Sequence, residues 1–97
     1  MNESNERYSW DPKKREQNIR KRGLDMVEMA DLIFEDQKIK IKTDDRKDYG
    51  EIRYVAFAMV KDERFLLCFT PREEKIHLIT IFRQHDEKEW KENYESI

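Results

Sequence analysis

Three runs rich in β-branched and aromatic residues stand in the middle of the chain: Ile52 to Val60, Phe65 to Thr70, and Ile76 to Phe82. Side chains of that kind suit a pleated, half-buried surface. The gaps between the runs are short and polar, Lys61 to Arg64 and then Pro71 to Glu74. Such gaps join antiparallel neighbours and leave no room for a crossover helix. The pattern therefore predicts a three-stranded meander. Just before it, Gln37 to Lys42 alternates with period two through Lys38, Ile39, Lys40, Ile41 and Lys42. This predicts a fourth strand with one wet face, whose lysines suit a protected sheet edge. Thr43 to Gly50 reads as a polar loop.

Helical signals bracket the sheet. Asp11 followed by Pro12 is a strong helix start, because the carboxylate accepts a free backbone N–H and proline loses nothing at the first helical position. That helix is expected to run to about Arg22 and to stop at Gly23, which takes a left-handed C′ conformation. Its apolar face is little more than Ile19, so it belongs at the surface. A second helix starts at Asp25, with Glu28 completing an Asp variant of the capping box. Met26, Met29, Ala30, Ile33 and Phe34 form its buried stripe. Asp86 and Glu89 repeat the capping pattern, and Trp90, Tyr94 and Ile97 lay a last helix against the sheet. Met1 to Glu6 looks like a frayed terminus. Arg7 to Trp10 is a short extended piece with Tyr8 and Trp10 on one side. The expected fold is α+β: two N-terminal helices and one C-terminal helix on one face of a four-stranded, mostly antiparallel sheet, in a single domain covering residues 1–97.

Composition narrows the function classes. At 97 residues, 43% charged and 37% hydrophobic, the chain holds one modest core under a heavily charged surface. Cys68 is the single cysteine. It has no internal disulfide partner and reads as a small buried hydrophobe rather than a catalytic thiol. A reduced, cytoplasmic setting follows from that usage. No apolar run is long enough to span a membrane, and Met1 to Arg7 is polar, without a signal-peptide pattern. The net charge of −2 does not announce a nucleic-acid binder, but its distribution is uneven. Arg7, Lys13, Lys14, Arg15, Arg20, Lys21 and Arg22 face only Asp11 and Glu16 in that stretch, whereas every charge from Asp25 to Asp36 is acidic. The block is either a local positive patch or two solvated helix faces of opposite sign.

Arginines stand at or near the strand ends, at Arg53, Arg72 and Arg83. A guanidinium keeps its charge and fits phosphate with a planar fork, though any one of them alone reads equally as a solvated edge charge. A metal route looks poor, with two histidines, one cysteine and no close-spaced ligand cluster, so no cofactor is implied. There is no Gly-rich phosphate loop and no nucleophile motif. His77 sits centrally in a strand and reads first as a hydrogen-bonded sheet histidine, although its type titrates near neutrality. His85 reads as a surface residue, Tyr94 as packing with Trp90, and Glu51 as a partner for a neighbouring arginine.

Several pieces in order resemble the BrnT family, toxins of bacterial type II toxin–antitoxin pairs. Trp10-Asp11-Pro12-Lys13 matches its WDP-x-K or WD-xx-K opening. Asn18 with Lys21-Arg22-Gly23 matches N-xx-KHG, with Arg22 in place of histidine. Phe34-Glu35-Asp36 resembles the end of its second helix. Asp45-Arg46, Tyr49-Gly50-Glu51 and Arg53 match DxR…GExR. Thr70 and Arg72 fall on YTxR, and Arg83 with Glu89 closes an Arg-x5-Glu pattern. The likeness runs from about Tyr8 to Tyr94. Its departures are Arg22, Gln84-His85 in place of a small residue, and Ile81 where the family's I-S-x-R has serine, with Thr80 one place early. A one-residue slip there would turn Arg83 to the other sheet face.

The resemblance implies a small ribonuclease, similar in fold to the RelE group of toxins. It acts on RNA without a metal and is neutralised by a ribbon-helix-helix, BrnA-like antitoxin. The partners would form a larger complex, two toxins with two antitoxins, that represses its own promoter and touches DNA only through the antitoxin. Arg83, Arg72 and Arg53 are then the expected phosphate-binding cations at the catalytic site. Glu89 is a candidate acid–base group, against its reading as a cap partner of Asp86. Lys21, Arg22 and Arg46 are the candidate RNA-binding cations. A plain meander, however, puts Arg53 and Arg72 at one end and Arg83 about 25 Å away at the other, which predicts two sites. The rival reading, from another class, is a non-catalytic binding module, or an inactivated toxin acting only in complex formation and autoregulation.

Overall fold

The computed structural model describes residues 1–45 and 48–95. Arg46 and Ile97, on which two expectations fall, lie outside the described residues. The strands are β1 (Glu3–Ser4), β2 (Tyr8–Trp10), β3 (Lys40–Asp44), β4 (Arg53–Val60), β5 (Glu63–Arg72) and β6 (Lys75–Arg83). They form one sheet in the order β1-β2-β6-β5-β4-β3. Helices α1 (Pro12–Arg22) and α2 (Met26–Phe34) follow β2, and α3 (Glu87–Trp90) runs on into a π-helical turn, Lys91–Glu95.

The expected four-stranded, mostly antiparallel sheet is therefore corrected to six strands in a mixed sheet. The meander and β3 are present, but β2 adds parallel to β6, with Tyr8 opposite Ile76 and Trp10 opposite Leu78. Within the stretch expected to fray, β1 then adds antiparallel to β2. The physical reason is aromatic burial. The parallel register sets Tyr8 and Trp10, 2% and 6% exposed, beside the β6 core residues. Burying a large aromatic contributes on the order of 2 kcal/mol or more.

Helix placement is corrected too. One core joins α2 and Leu24, with Tyr8 and Trp10 of β2, to Ala56, Ala58, Phe65, Leu67, Phe69, Leu78 and Ile81, and α1 lies on the same face through buried Asn18. A second core, on the opposite face, joins Trp90 and Tyr94 to Val55, Phe57, Leu66 and Cys68. The sheet is thus buried on both faces, and α3 lies across from the other two helices rather than beside them. Alternation along β4 and β5 sends successive apolar residues to opposite cores, so a single layer of helices would leave half of them wet.

The helix starts lie where the cap chemistry puts them. Asp11 accepts from Lys13 N (2.9 Å) and Asp25 from Val27 N (3.0 Å). Gly23 ends α1 at φ 67°. The buried residue of α1, however, is Asn18 and not Ile19, which is 45% exposed. The two hairpins are tighter than the polar gaps suggested. Lys61–Asp62 and Glu73–Glu74 are two-residue turns with φ of 50°, 67°, 51° and 66°. Positive φ at both central positions matches strand twist, at a cost that glycine or asparagine would avoid.

Strand β6 carries a bulge. Phe69 pairs with Leu78 but Cys68 pairs with Thr80, so Ile79 and Thr80 together face one residue of β5. Beyond the bulge Arg83 lies opposite Phe65. An unbulged ladder would put it opposite Arg64 and on the α3 side; the extra residue turns it toward α1.

Asp36, just past α2, ties three elements together. Its Oδ2 accepts from Met59 N (2.9 Å) and the Tyr94 hydroxyl (2.7 Å), and its Oδ1 from Lys38 N (3.0 Å). Burial alone would raise this carboxyl, but the Met59 and Lys38 N–H groups and the Tyr94 hydroxyl outweigh burial and hold it below the ordinary 3.8. Burial and the same bond push the Tyr94 phenol up to about 12, so Tyr94 serves packing. Because the folded-state pKa of Asp36 is depressed, its stabilisation is present above 3.8 and is lost as pH falls through the folded value. Asp36→Ala is expected to lower stability by about 2–3 kcal/mol at pH 7. Thermal melts from pH 7 to 3 should show the gap from wild type closing at the acid end.

Candidate functional site

The arginines fall into two groups. The first lies where β4 and β5 meet the loop ahead of β4. Both carboxylate oxygens of Glu51 accept from Arg72 Nη2 (2.9 and 3.0 Å), and Oε2 also accepts from Arg53 Nε (3.3 Å). The guanidinium of Arg53 stacks over the Tyr49 ring at 4.1 Å, and the Tyr49 hydroxyl donates to Asp44 (3.2 Å). The hydrogen bond from Arg72 holds the Glu51 carboxyl below the usual carboxylate range. Among the described residues, Arg53 keeps both Nη groups, and Arg72 its Nε and Nη1, without hydrogen-bond partners inside the chain. Glu51 therefore aligns two planar donors and leaves their outer edges for an anion.

The same sheet face carries a polar row. Asp44 is opposite Arg53, Ser9 and Thr70 are each opposite His77, and the β4–β5 register, with Tyr54 opposite Phe69, brings Arg53 level with Thr70. Five strands thus present Asp44, Arg53, Thr70, His77 and Ser9 side by side, with Arg72 one step along. Thr70 donates to Ile52 O (2.6 Å), and Ser9 Oγ shares a 2.8 Å hydrogen bond with His77 Nδ1. His77 is only 6% exposed. Burial first, and then the neighbouring Arg72 charge, lower its pKa from 6.5. Sequence reasoning named Arg53, Arg72, Thr70 and His77 separately, the last as a hydrogen-bonded sheet histidine, and left out Ser9, Asp44 and the row that joins them. Its signal was the side-chain alternation that places Ser9 opposite in sense to Tyr8 and Trp10.

The second group lies at the C-terminus of α1, where a cleft of about 370 Å³ is lined by Lys21, Arg22, Phe82, Arg83 and His85. Arg83 Nη1 donates to Arg22 O (3.0 Å), and its Nε is 3.6 Å from Glu63. Arg22 Nη1 donates to Asn18 Oδ1, to Thr80 Oγ1 (3.3 Å) and to Ile81 O (3.5 Å), while the Thr80 hydroxyl donates to the same Asn18 oxygen (3.0 Å). These bonds fasten α1 to the bulge, so both arginines do structural work. Arg83 is level with Phe65 and Arg72 lies seven residues along the same strand. The two groups are therefore about 20 Å apart along the sheet.

Glu89 joins neither group. It lines a cavity of about 320 Å³ on the α3 face with Lys42, Asp44, Cys68 and Asn93, and no described arginine lines it. Asp86 does cap α3, accepting from Glu89 N (3.1 Å), but Asp86 N is taken by Gln84 (2.9 Å), so the capping box is half formed. Among the described residues no group of three or more His, Cys, Asp or Glu is arranged to hold a metal ion, and no helix is long and apolar enough to cross a membrane.

Comparison with protein families matches residues 10–89 to the family described as ribonuclease toxin, BrnT, of type II toxin-antitoxin system. The chain belongs to the BrnT family. No curated protein and no solved structure matches it. Membership gives the group activity, a ribonuclease toxin, and implies an antitoxin partner. The match opens at Trp10 and closes at Glu89, so it takes in both arginine groups of this BrnT chain.

Asn18 is 1% exposed and also donates to Lys14 O (2.9 Å). Asn18→Ala would strand the Thr80 hydroxyl and Arg22. It is expected to cost about 2 kcal/mol in denaturant melts, and to move Arg83 with it.

Proposed function

We propose that this protein is a metal-independent endoribonuclease toxin whose chemistry takes place at Glu51, Arg53 and Arg72, and that a ribbon-helix-helix antitoxin neutralises it. The observation that carries the assignment is the pair of guanidiniums aligned on one ionised carboxylate, with their outer edges open. Attack of a ribose 2′-OH on its neighbouring phosphate builds charge on the phosphate oxygens. Fixed guanidiniums meet that charge without reorganising, and one such donor is worth about 3 kcal/mol in barrier. Glu51 acts here as a positioning group, because its carboxyl is held well ionised. Lys21, Arg22 and Arg83 form a separate cationic surface that tracks the strand, with binding that weakens as salt rises. Glu89, which lines the cavity on the α3 face and joins neither arginine group, has no part in the step. The complex with antitoxin, two chains of each, would repress its own promoter and act in the cytoplasm.

A second reading has one observation in its favour. Each expected catalytic arginine is already ion-paired within the chain, Arg53 and Arg72 with Glu51, and Arg83 with Glu63. A module that only binds its partner would need no more.

Incubating purified protein with RNA in EDTA, with and without antitoxin, separates the two. Cleavage that persists in EDTA and stops with antitoxin is the expected result; intact RNA at every pH sinks the enzyme reading. Arg72→Ala is expected to lower kcat about 100-fold. Arg83→Ala should instead raise KM by about tenfold and flatten the salt dependence. Equal kcat losses in both variants would refute the division of labour.

A further inference from the structure

Resting on the ribonuclease reading, we propose that His77 is the general base that takes the 2′-OH proton, with Ser9 as the residue that positions it. Arg72 pairs with Lys75 and Thr70 with His77, so Arg72 and His77 are diagonal neighbours on adjacent strands. Their Cα atoms are about 7–8 Å apart, so the two side chains can share one ligand. The imidazole is fixed through Nδ1 by Ser9 Oγ at 2.8 Å. Among the described residues no buried side-chain nitrogen or oxygen lacks a partner, and Nε2 of His77 has none within the chain. Nε2 is therefore not shut off from solvent, although the residue as a whole is buried.

The groups facing the ring come from every neighbouring element. Arg72 is on β5, Arg53 begins β4 with Glu51 in the loop ahead of it, Asp11 caps α1, and Ser9 is on β2. Burial and Arg72 outweigh the two carboxylates and favour the neutral imidazole. Glu51, by contrast, is committed to two arginines and is too weak a base near neutrality.

In the proposed step Nδ1–H donates to Ser9 Oγ, which leaves the Nε2 lone pair free. Nε2 takes the proton of the 2′-OH, and the 2′ oxygen bonds to phosphorus. The P–O5′ bond breaks, and the 5′ oxygen takes a proton from water. The imidazolium then returns its proton to solvent. The products are a 2′,3′-cyclic phosphate and a 5′-hydroxyl, with no oxidant, metal or net water required. The substrate is RNA, because DNA has no 2′-OH to activate.

The test is the pH profile of kcat/KM from 5 to 8 on a short single-stranded RNA. The wild type should lose activity on an acid limb below 6.5. His77→Gln should lower kcat by about 100-fold or more and abolish that limb. Ser9→Ala should move the limb while leaving KM within about twofold. An active wild type whose rate and limb survive in His77→Gln overturns the role of His77 alone, whereas a wild type silent at every pH overturns the ribonuclease reading with it. If His77→Gln does not fold, wild-type imidazole resonances carry the test. The chain has only two histidines, so the His77 signal is readily assigned. It should titrate below 6.5 and shift when a 2′-deoxy analogue of the substrate is added. A His77 resonance unmoved by the analogue overturns the proposal.

Discussion

Six consecutive residues of β5, Phe65 to Thr70, are buried, and a strand can hide six in a row only if both its faces are covered. That constraint arranges the rest of the molecule. Phe65, Leu67 and Phe69 go to the core under α1 and α2, while Leu66 and Cys68 go to the core under α3. Helix α3 is a single α-helical turn extended by a π-helical one, too short to cover the whole of its face. Its aromatic pair, Trp90 stacked on Tyr94 at 4.3 Å, sits over Phe57 and Leu66. Beyond its reach the same face continues through Thr70, and the side chains there turn polar. The alternation that builds two cores thus also sets the row of Asp44, Arg53, Thr70, His77 and Ser9 on the α3 side of the sheet, past the aromatic pair, where Asp44, Thr70 and His77 are themselves buried.

On the proposed reading, electrostatics separates the two arginine groups by purpose. Partly exposed ion pairs hold little net energy, about 0–1 kcal/mol, so an arriving phosphate can share Arg53 and Arg72 at small cost. Glu51 touches only one edge of each, which keeps them aligned before the anion arrives. Arg22 and Arg83 are engaged differently, with their donors aimed at backbone carbonyls and at Asn18. Moving them would loosen the end of α1. Cations anchored in this way suit a fixed binding surface better than charge stabilisation in a reacting centre.

Local chemistry made much of the fold legible. The caps at Asp11 and Asp25, the stop at Gly23 and the meander all follow from spacing and residue type. What spacing does not encode is partnership at long range. Tyr8 and Trp10 are visibly on one side of an extended segment, but nothing in their neighbourhood says that they pair parallel with β6, far along the chain. Trp90 and Tyr94 likewise show which face of their own helix is apolar, not which face of the sheet it covers. For the site, arginine positions were legible and their partners only partly so. Glu51 was readable as a charged partner for a neighbouring arginine, whereas Ser9 reaches His77 and Thr70 only through the parallel strand.

The bulge in β6 is the exception, since hindsight finds it in the sequence. Leu78 and Ile81 are both fully buried in the core under α1 and α2. They are three residues apart, an interval that a regular strand of period two cannot place on one face. Ile79 and Phe82, also three apart, both pack into the opposite core. Two apolar pairs at odd spacing therefore demand one inserted residue between them, and Ile79–Thr80 supplies it. The isoleucine at 81, where the BrnT pattern has serine, and the hydroxyl one place early at Thr80 are the same event seen in composition. Ile81 enters the core, and Thr80 carries its hydroxyl to Asn18. Arg83 is turned with them toward the end of α1, which is why it stands apart from Arg53 and Arg72.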